Sequence, residues 1–208
     1  MTQKRISAAE PTPVRVTIVT LDDHLAGTVA RAQTILRRTI PGLSLTLHSA
    51  AQWGEDEAAL ARCNDDIAQA DFVIATMMFM EDHIKAVLPA LQARRDTCDA
   101  MVVCMSSGDV AKLTRMGRFT THAEGGLRSF LKKLRGKTEK SGVAGAQQMK
   151  MLRRIPRLLK FIPGAAQDIR AYLLTLQYWL AGSDENIANL VASLINRYAD
   201  GPRKALRG

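Results

Sequence analysis

The chain has 208 residues, of which 47% are apolar and 24% are charged, and its formal net charge is +9 at pH 7. These proportions exclude a disordered chain, and the length allows one domain of ordinary size plus an appendage. The longest apolar run, Phe72 to Met80, is too short to cross a bilayer, and residues 1–13 lack the apolar core of a secretory signal. We therefore predict a cytoplasmic protein with a disordered tail over residues 1–13.

The charge is divided unevenly along the chain. Residues 1–109 carry 10 basic and 14 acidic side chains, whereas residues 110–208 carry 19 and 6. Most of the basic excess lies between Lys112 and Lys160. This segment is therefore expected to face an acidic partner, a propionate-bearing ligand, another domain or an anionic membrane surface.

The three cysteines, Cys63, Cys98 and Cys104, show neither a CxxC pair nor the spacing of zinc ligands. An odd number of cysteines in a cytoplasmic chain argues against a disulfide framework. We predict reduced, mostly buried thiols. A nucleophilic cysteine is the less favoured alternative, because no histidine stands where the sequence alone would pair it with a thiol.

Short β-branched runs alternate with helical stretches in the first half of the chain, which is typical of βαβ units and a parallel sheet. The predicted elements are a strand at 14–21, a helix at 25–38, a strand at 43–48, a helix at 55–69, a strand at 72–77, a helix at 81–95 and a strand at 100–105. The third strand is apolar on both faces and is expected to be central, whereas the second alternates and fits an edge. The predicted fold is α/β, a flavodoxin-like or Rossmann-like parallel sheet of about four strands in the order 2-1-3-4.

An all-helical extension is predicted to follow the α/β domain. Two candidate helices at 108–116 and 127–134 still belong to the α/β domain. The extension is expected to contain helices at 147–161, 165–181 and 184–198, the last one capped by Ser183. The domain division is residues 14–135 for the α/β domain, 136–146 for a flexible linker, 147–200 for the helical extension and 201–208 for a basic tail or truncation edge without a closing element. The density of large apolar residues around Tyr172 and Trp179 indicates that the extension packs on the sheet or on a further region.

Two turns of similar composition follow the first and third strands. They contain the candidate ligand residues Asp22, Asp23, His24, Glu81, Asp82 and His83. In the order 2-1-3-4 both turns lie at the carboxyl edge of the sheet, beside the crevice where such folds bind ligands. Carboxylates and imidazoles there could hold a divalent cation or meet another domain. Stabilisation of helix amino termini by these acidic residues is the favoured alternative.

His48 and the stretch Ser106 to Asp109 close the same edge from the second and fourth strands. The serines and Gly108 could cradle an anion, although the spacing is not that of a Walker loop and predicts a turn by default. No GxGxxG, nucleophile-elbow or HExxH pattern occurs in the sequence, so it gives no support for dinucleotide binding and identifies no catalytic residue. A scaffold or interaction domain fits these absences better than an independent enzyme.

A basic face mixes cations with leucines at helical spacing. Its residues are Lys132, Lys133, Arg135, Arg153, Arg154 and Arg157. Docking on an acidic neighbouring domain is the favoured interpretation, ahead of contact with an anionic membrane surface. Nucleic-acid binding is not expected, because aromatic residues are scarce along this face and no nucleic-acid motif occurs.

Particular strings of residues resemble a known family. They are Val16 to Ala26, Leu60 to Ile67, Phe79 to Ile84, Leu88 to Asp96, Arg157 to Tyr172 and Leu176 to Ser183. Together they are similar to the start of magnesium chelatase H subunits in the form found in phototrophic bacteria. The likeness runs from about Val14 to Tyr198, and the cobaltochelatase large subunit is the nearest confusable relative.

The resemblance implies the amino-terminal, or head, part of a longer porphyrin-binding subunit. Such a subunit binds protoporphyrin IX and Mg²⁺ and works with two AAA+ partners that hydrolyse ATP, on the way to (bacterio)chlorophyll. It also implies that metal insertion belongs to later domains, so no catalytic residue and no bound cofactor is expected in this chain. Packing against the rest of the subunit, control of porphyrin access, and porphyrin or photosynthetic-membrane surface binding are the roles left open.

Overall fold

The architecture comes from a computed structural model that describes residues 11–21, 23–121 and 165–208. The predicted linker 136–146, the helices at 127–134 and 147–161, and all but the last few residues of the tail 1–13 lie outside the described residues. The division into domains therefore stays a prediction.

Six strands form one mixed sheet, in the order β2-β1-β3-β4-β5-β6. The strands are β1 Val14–Thr20, β2 Leu43–Ser49, β3 Phe72–Thr76, β4 Ala100–Cys104, β5 Arg115–Met116 and β6 Phe119–Thr120. The first four pair in parallel, which confirms the predicted order 2-1-3-4, with β2 at the edge and β3 in the centre. The two short strands extend the sheet beyond β4 by antiparallel pairing.

Helices cover both faces of the sheet. They are α1 Ala26–Leu36, α2 Glu57–Gln69, α3 Glu81–Arg94, α4 Gly108–Ala111, α5 Ala165–Ala181 and α6 Asp184–Tyr198, with short 3-10 helices at Ala50–Gln52 and Gly201–Leu206. Alternate residues of β1, β3 and β4 contribute to two hydrophobic cores, one under α1, α5 and α6 and the other under α2, α3 and α4. Ile18 of β1 belongs to the first core and Val19 to the second.

The helix predicted over 108–116 is wrong beyond Ala111. The Thr114 hydroxyl is buried, accepts the Val103 N–H at 3.1 Å and donates to the Val103 carbonyl at 3.2 Å. These bonds to β4 hold the chain extended, so that Arg115 and Met116 join the sheet as β5. A local helical pattern is overridden here by tertiary pairing.

The helical extension packs on the sheet. Tyr172 and Leu173 of α5 lie in the first core, and the Tyr172 hydroxyl donates to the Val103 carbonyl at 3.1 Å. The start of α6 is as predicted, because the Ser183 Oγ accepts the Asn186 N–H at 3.2 Å. The sequence predicted that this apolar segment packs either on the sheet or on a further region. The described part of the extension packs on the sheet.

The segment after α6 also returns to the sheet. Where the sequence predicts a tail without a closing element, Gly201–Leu206 form a 3-10 helix. Its Arg203 makes a bidentate bond to Asp99, with both distances 3.0 Å, and lies 3.2 Å from a carboxylate oxygen of Asp71. Ion pairing between residues far apart in sequence therefore fixes this segment at the edge of the sheet where β3 and β4 begin.

Among the described residues, no helix has the length and apolarity that a membrane span requires.

Candidate functional site

The carboxyl edge of the sheet is the candidate site, defined here by residues 21–28, 50–60, 77–85 and 105–112, which follow the four parallel strands. Strands β1 and β3 lie side by side in parallel, so the chain leaves both at this edge. From β1 the chain passes to α1 on one face, and from β3 it passes to α3 on the other. A crevice at such a switch of direction is where open α/β sheets bind ligands.

The first predicted turn lies at this edge. Asp23 and His24 are exposed, and Asp22 lies outside the described residues. The Asp23 backbone carbonyl accepts the Ala26 N–H at 2.8 Å, but α1 has no side-chain cap and no acidic residue in its first turn. Asp23 therefore contributes its backbone carbonyl to the start of α1, and its carboxylate is exposed to solvent.

The second predicted turn forms the first turn of α3. Glu81 and Asp82 are exposed there, where the helix dipole favours acidic residues, and Glu81 pairs with Lys85 at 2.6 Å. The His83 ring meets that of Trp53, a residue of the second core, edge to face, with centroids 5.7 Å apart. The acids of this turn thus stabilise a helix start, while its histidine packs on an aromatic ring.

Within the described ranges, no three His, Cys, Asp or Glu side chains are grouped so that they could hold a metal ion. His48 is engaged elsewhere, since its Nε2 lies 2.8 Å from the Asp66 carboxylate. Ser106 braces the turn between strands, because its Oγ accepts the Met78 N–H and donates to the Cys104 carbonyl. The candidate cation ligands that the structure describes lie at one edge of the sheet, but they do not form a coordination sphere.

Unpartnered polar atoms are the feature of this edge that sequence reasoning missed. The buried atoms without a hydrogen-bond partner include Thr20 Oγ1, Trp53 Nε1, His83 Nδ1 and Ser107 Oγ, each on a segment just past or ending a parallel strand. An unsatisfied buried polar group costs about 1–3 kcal/mol. Buried polar atoms of this kind take their hydrogen-bond partner from ordered water or from a bound group.

Exposed apolar side chains occur at the same edge. Phe79 is 56% exposed and Met80 is 54% exposed, in the loop between β3 and α3. Leu180 in the last turn of α5 is 55% exposed and lies close to the position where Gly182 approaches Leu25. The sequence does carry a signal for the first two, since the apolar run from Phe72 continues four residues beyond the strand.

The opposite, amino edge of the sheet carries a polar cavity of about 320 Å³. Its lining includes Cys98, Asp99, Arg115, Tyr198 and Arg207. These groups bond to one another and to the backbone: Arg115 donates to the carbonyls of Arg95 and Cys98, and Arg207 donates to that of Ala199. We therefore interpret this network as a structural one, which holds the last described residues against the amino edge of the sheet.

The three cysteines are free and buried, as the sequence predicts. Burial raises the pKa of the Cys63 thiol to about 12 and that of Cys104 to about 11. Burial also raises the pKa of Cys98, against the opposing effect of Arg115. Since the thiolate is the nucleophile, these environments disfavour a catalytic cysteine.

These thiols predict a loss of stability at alkaline pH. Above pH 9.0, the ordinary value for Cys63, the unfolded chain releases thiol protons that the folded chain retains up to its raised pKa. The folded state then binds more protons, so the free energy of unfolding is constant below this range and falls as pH rises from 9 towards 11. Urea titrations at several pH values should show this fall, with a shallower slope in Cys63→Ala. Equal slopes in both proteins would contradict the assignment.

The basic face, made of Lys132, Lys133, Arg135, Arg153, Arg154 and Arg157, lies outside the described residues, so its docking role stays a prediction.

Comparison with known proteins gives consistent matches. Residues 15–173 match the family described as "Domain of unknown function (DUF3479)". The chain is 48% identical over 185 residues to the magnesium-chelatase H subunit of Cereibacter sphaeroides and 44% identical over 191 residues to that of Rhodobacter capsulatus. These alignments cover 88% and 91% of this chain but only 16% of each relative.

A more distant match extends to plants, with 29% identity over 189 residues to the chloroplastic magnesium-chelatase ChlH protein of Oryza sativa, which covers 89% of this chain and 14% of that relative. The chain thus spans about a sixth of the length of the relatives it matches. The resemblance seen in the sequence is confirmed: the chain belongs to the DUF3479 family, in the form present in magnesium-chelatase H subunits.

Proposed function

We propose that this chain is the amino-terminal head domain of a magnesium-chelatase H subunit. In this proposal the whole subunit binds protoporphyrin IX, and the assembled enzyme inserts Mg²⁺ in an ATP-dependent reaction of (bacterio)chlorophyll biosynthesis, together with two AAA+ subunits. The single observation that carries it is the identity of 44–48% over most of the chain to bacterial magnesium-chelatase H subunits.

The domain itself serves structure, interaction or substrate access rather than metal insertion. The described residues offer buried thiols of raised pKa, acids in a helix first turn and no grouping that could hold a metal ion. Such a set provides neither a nucleophile nor a Lewis-acid centre for chemistry on a porphyrin. In this proposal Mg²⁺, protoporphyrin IX and ATP are bound by the whole complex.

Replacement of the matching segment in the Cereibacter sphaeroides H subunit by this chain tests the proposal. We expect the fused subunit to insert Mg²⁺ when it is combined with the two AAA+ subunits, and the 208-residue chain alone to insert none. Formation of magnesium protoporphyrin, followed by its fluorescence, is the measurement. Metal insertion by the chain alone, or full activity after deletion of the segment, would contradict the proposed role.

Direct porphyrin binding by this domain is the second candidate, favoured by the exposed Phe79 and the unpartnered polar atoms at the carboxyl edge. The charge of that edge opposes it. The four segments of the edge hold seven described acidic residues and two lysines, and both lysines pair with acids of the same segments. Porphyrin propionates would meet like charge there.

We therefore expect no saturable quenching of Trp53 and Trp179 fluorescence when the chain is titrated with a soluble porphyrin at micromolar concentration. Trp53 is the sensitive reporter, because it lies at the edge beside His83. Saturable quenching that Phe79→Ser abolishes would instead place part of the porphyrin site here. The outward-facing Ile35 on the last turn of α1 supplies the control variant, Ile35→Ser.

The basic face supports a further proposal, peripheral contact with an anionic membrane. Sedimentation with anionic liposomes at low salt, lost as salt is raised, is the result it requires.

A further inference from the structure

The carboxyl edge combines three features that bear on contact with a partner. Phe79 and Met80 are more than half exposed, a buried indole N–H of Trp53 has no hydrogen-bond partner, and acids outnumber bases around them. The Trp53 side chain as a whole is only 8% exposed. Exposed apolar groups rimmed by charge of one sign are typical of protein-docking surfaces.

We infer that this edge docks on a basic, partly apolar surface of the remaining part of the H-subunit polypeptide. The inference rests on the proposed function and specifies the surface through which the head domain acts. The apolar centre is Phe79 and Met80, and the acidic rim includes Asp23, Glu57 and Asp82. A partner that presents lysine or arginine side chains around an apolar patch is complementary to both features.

The size of the surface favours a tethered partner. The two adjacent apolar side chains, Phe79 and Met80, form a much smaller patch than a stable interface between separate proteins needs. A segment of the same polypeptide has a high effective concentration at the surface, so a small contact becomes populated. The relatives supply that segment, since the matched region is only 16% of their length.

Charge complementarity also selects against other occupants. An anionic ligand or an anionic membrane would be repelled by the acidic rim, and a second copy of this edge would bring like charges together. Lys85, Lys112 and Arg62 neutralise Glu81, Asp109 and Asp56, with which they pair at 2.6, 2.9 and 2.8 Å. The negative charge that remains among the described residues of the edge is that of Asp23, Glu55, Glu57 and Asp82.

Hydrogen exchange of the loop and first turn at 77–84 tests the inference in two proteins, this chain alone and the same chain fused into the Cereibacter sphaeroides H subunit. We expect exchange at 77–84 to be at least about tenfold slower in the fused subunit. Phe79→Ser/Met80→Ala should remove the slowing in the fused subunit and leave exchange of the isolated chain unchanged, because alanine adds no side-chain cap at the N-cap position of α3. Ile35→Ser, an exposed apolar change at the other end of α1, should preserve the slowing.

The test of charge uses Asp23→Lys/Glu57→Lys, which reverses two exposed acids of the rim that lie outside the measured segment 77–84. We expect it to lose most of the slowing, whereas Asp65→Lys/Asp96→Lys, the same change in charge at exposed sites away from the edge, retains it. Equal loss in both double variants would overturn the role of the rim.

Other outcomes separate this inference from the proposed function. Exchange that slows elsewhere in the chain but not at 77–84 would overturn the docking surface and leave the head-domain role standing. Slowing in the isolated chain that grows with its concentration would overturn it in favour of a second copy. Slowing in the isolated chain on addition of a soluble porphyrin would overturn it in favour of that ligand, and a fused subunit that inserts no Mg²⁺ would count against the proposed function itself.

Discussion

Arg203→Ala is expected to lower the free energy of unfolding by about 3 kcal/mol, the low end of the range for removing one partner of a buried ion pair. The Asp71 and Asp99 side chains are only 8% and 6% exposed, and Arg203 contacts both of them. Removal of the guanidinium leaves Asp99 with the Asp200 N–H and Asp71 with the Arg15 N–H and a distant Arg94. Two buried carboxylates then lose most of the positive charge that offsets their desolvation. Urea titrations of the original chain and of Arg203→Ala should show the loss of unfolding free energy.

Lys204→Ala is the matched control, because Lys204 is exposed on the same 3-10 helix. It should leave the unfolding midpoint unchanged. Arg203→Ala combined with Asp99→Asn should recover part of the lost stability, since an amide carries no charge to desolvate. A midpoint for Arg203→Ala that equals that of Lys204→Ala would mean that the Arg203 ion pairs contribute nothing to the stability of the fold.

The sheet could be predicted from the sequence because its signals are local and strong. The runs at 14–20 and 72–76 are apolar and β-branched, helices of ordinary length separate the strands, and right-handed crossovers leave few orders for four parallel strands. The result is a correct order 2-1-3-4 with bounds that differ from the structure by one or two residues. The helix at 184–198 could also be predicted, because Ser183 marks its N-cap.

The remainder of the fold depends on partners far apart in sequence. Strand β5 exists because Thr114 bonds to Val103, and the final 3-10 helix is held because Arg203 reaches Asp99 more than a hundred residues earlier. No local pattern encodes either contact, and the short segment before β5 has a helical composition. Tertiary context decides such segments.

The candidate site was predictable in its location and less so in its chemistry. Adjacent parallel strands place the turns after β1 and β3 at one edge, which the sequence anticipates. Whether their acids would gather around a cation or stabilise a helix start depends on side-chain direction, and in the structure Glu81 pairs with Lys85 while His83 packs on Trp53. The unpartnered Trp53 indole depends on the surrounding fold, so no sequence pattern reveals it.

Asp168 joins three elements in a second buried network. This carboxylate on α5 is 7% exposed. It accepts Arg197 Nη2 at 2.9 Å and the Tyr198 hydroxyl at 2.9 Å from α6, and the Arg118 N–H at 3.1 Å from the turn before β6. Gly117 in that turn has a φ of +58°, and an added Cβ would lie 2.9 Å from the Asp168 carboxylate. The described start of the helical extension is thus tied to the last strands of the sheet through one side chain.

Asp168→Ala is therefore expected to cost about 3 kcal/mol of unfolding free energy, because it leaves a buried hydroxyl and a backbone N–H without their acceptor. The Arg197 guanidinium, whose side chain is 38% exposed, keeps only the Tyr198 hydroxyl as an acceptor. Burial and the Asp168 carboxylate both raise the pKa of the Tyr198 hydroxyl, so the substitution should also bring its titration closer to the ordinary tyrosine range, measurable by ultraviolet absorbance. Asp184→Ala removes a solvent-exposed ion pair with Arg31 and is the control, with little expected effect.

The coupling between Asp168 and Arg197 decides whether the network acts as a unit. If it does, Asp168→Ala/Arg197→Ala should cost less than the sum of the two single changes by about 1–3 kcal/mol, because the second substitution removes a charge that the first has already stranded. Additive losses would mean that Asp168 stabilises the fold through Tyr198 and the Arg118 N–H alone. Since the network joins α5 and α6 to β6, a coupled loss would also be expected to speed hydrogen exchange in both helices before the parallel strands exchange.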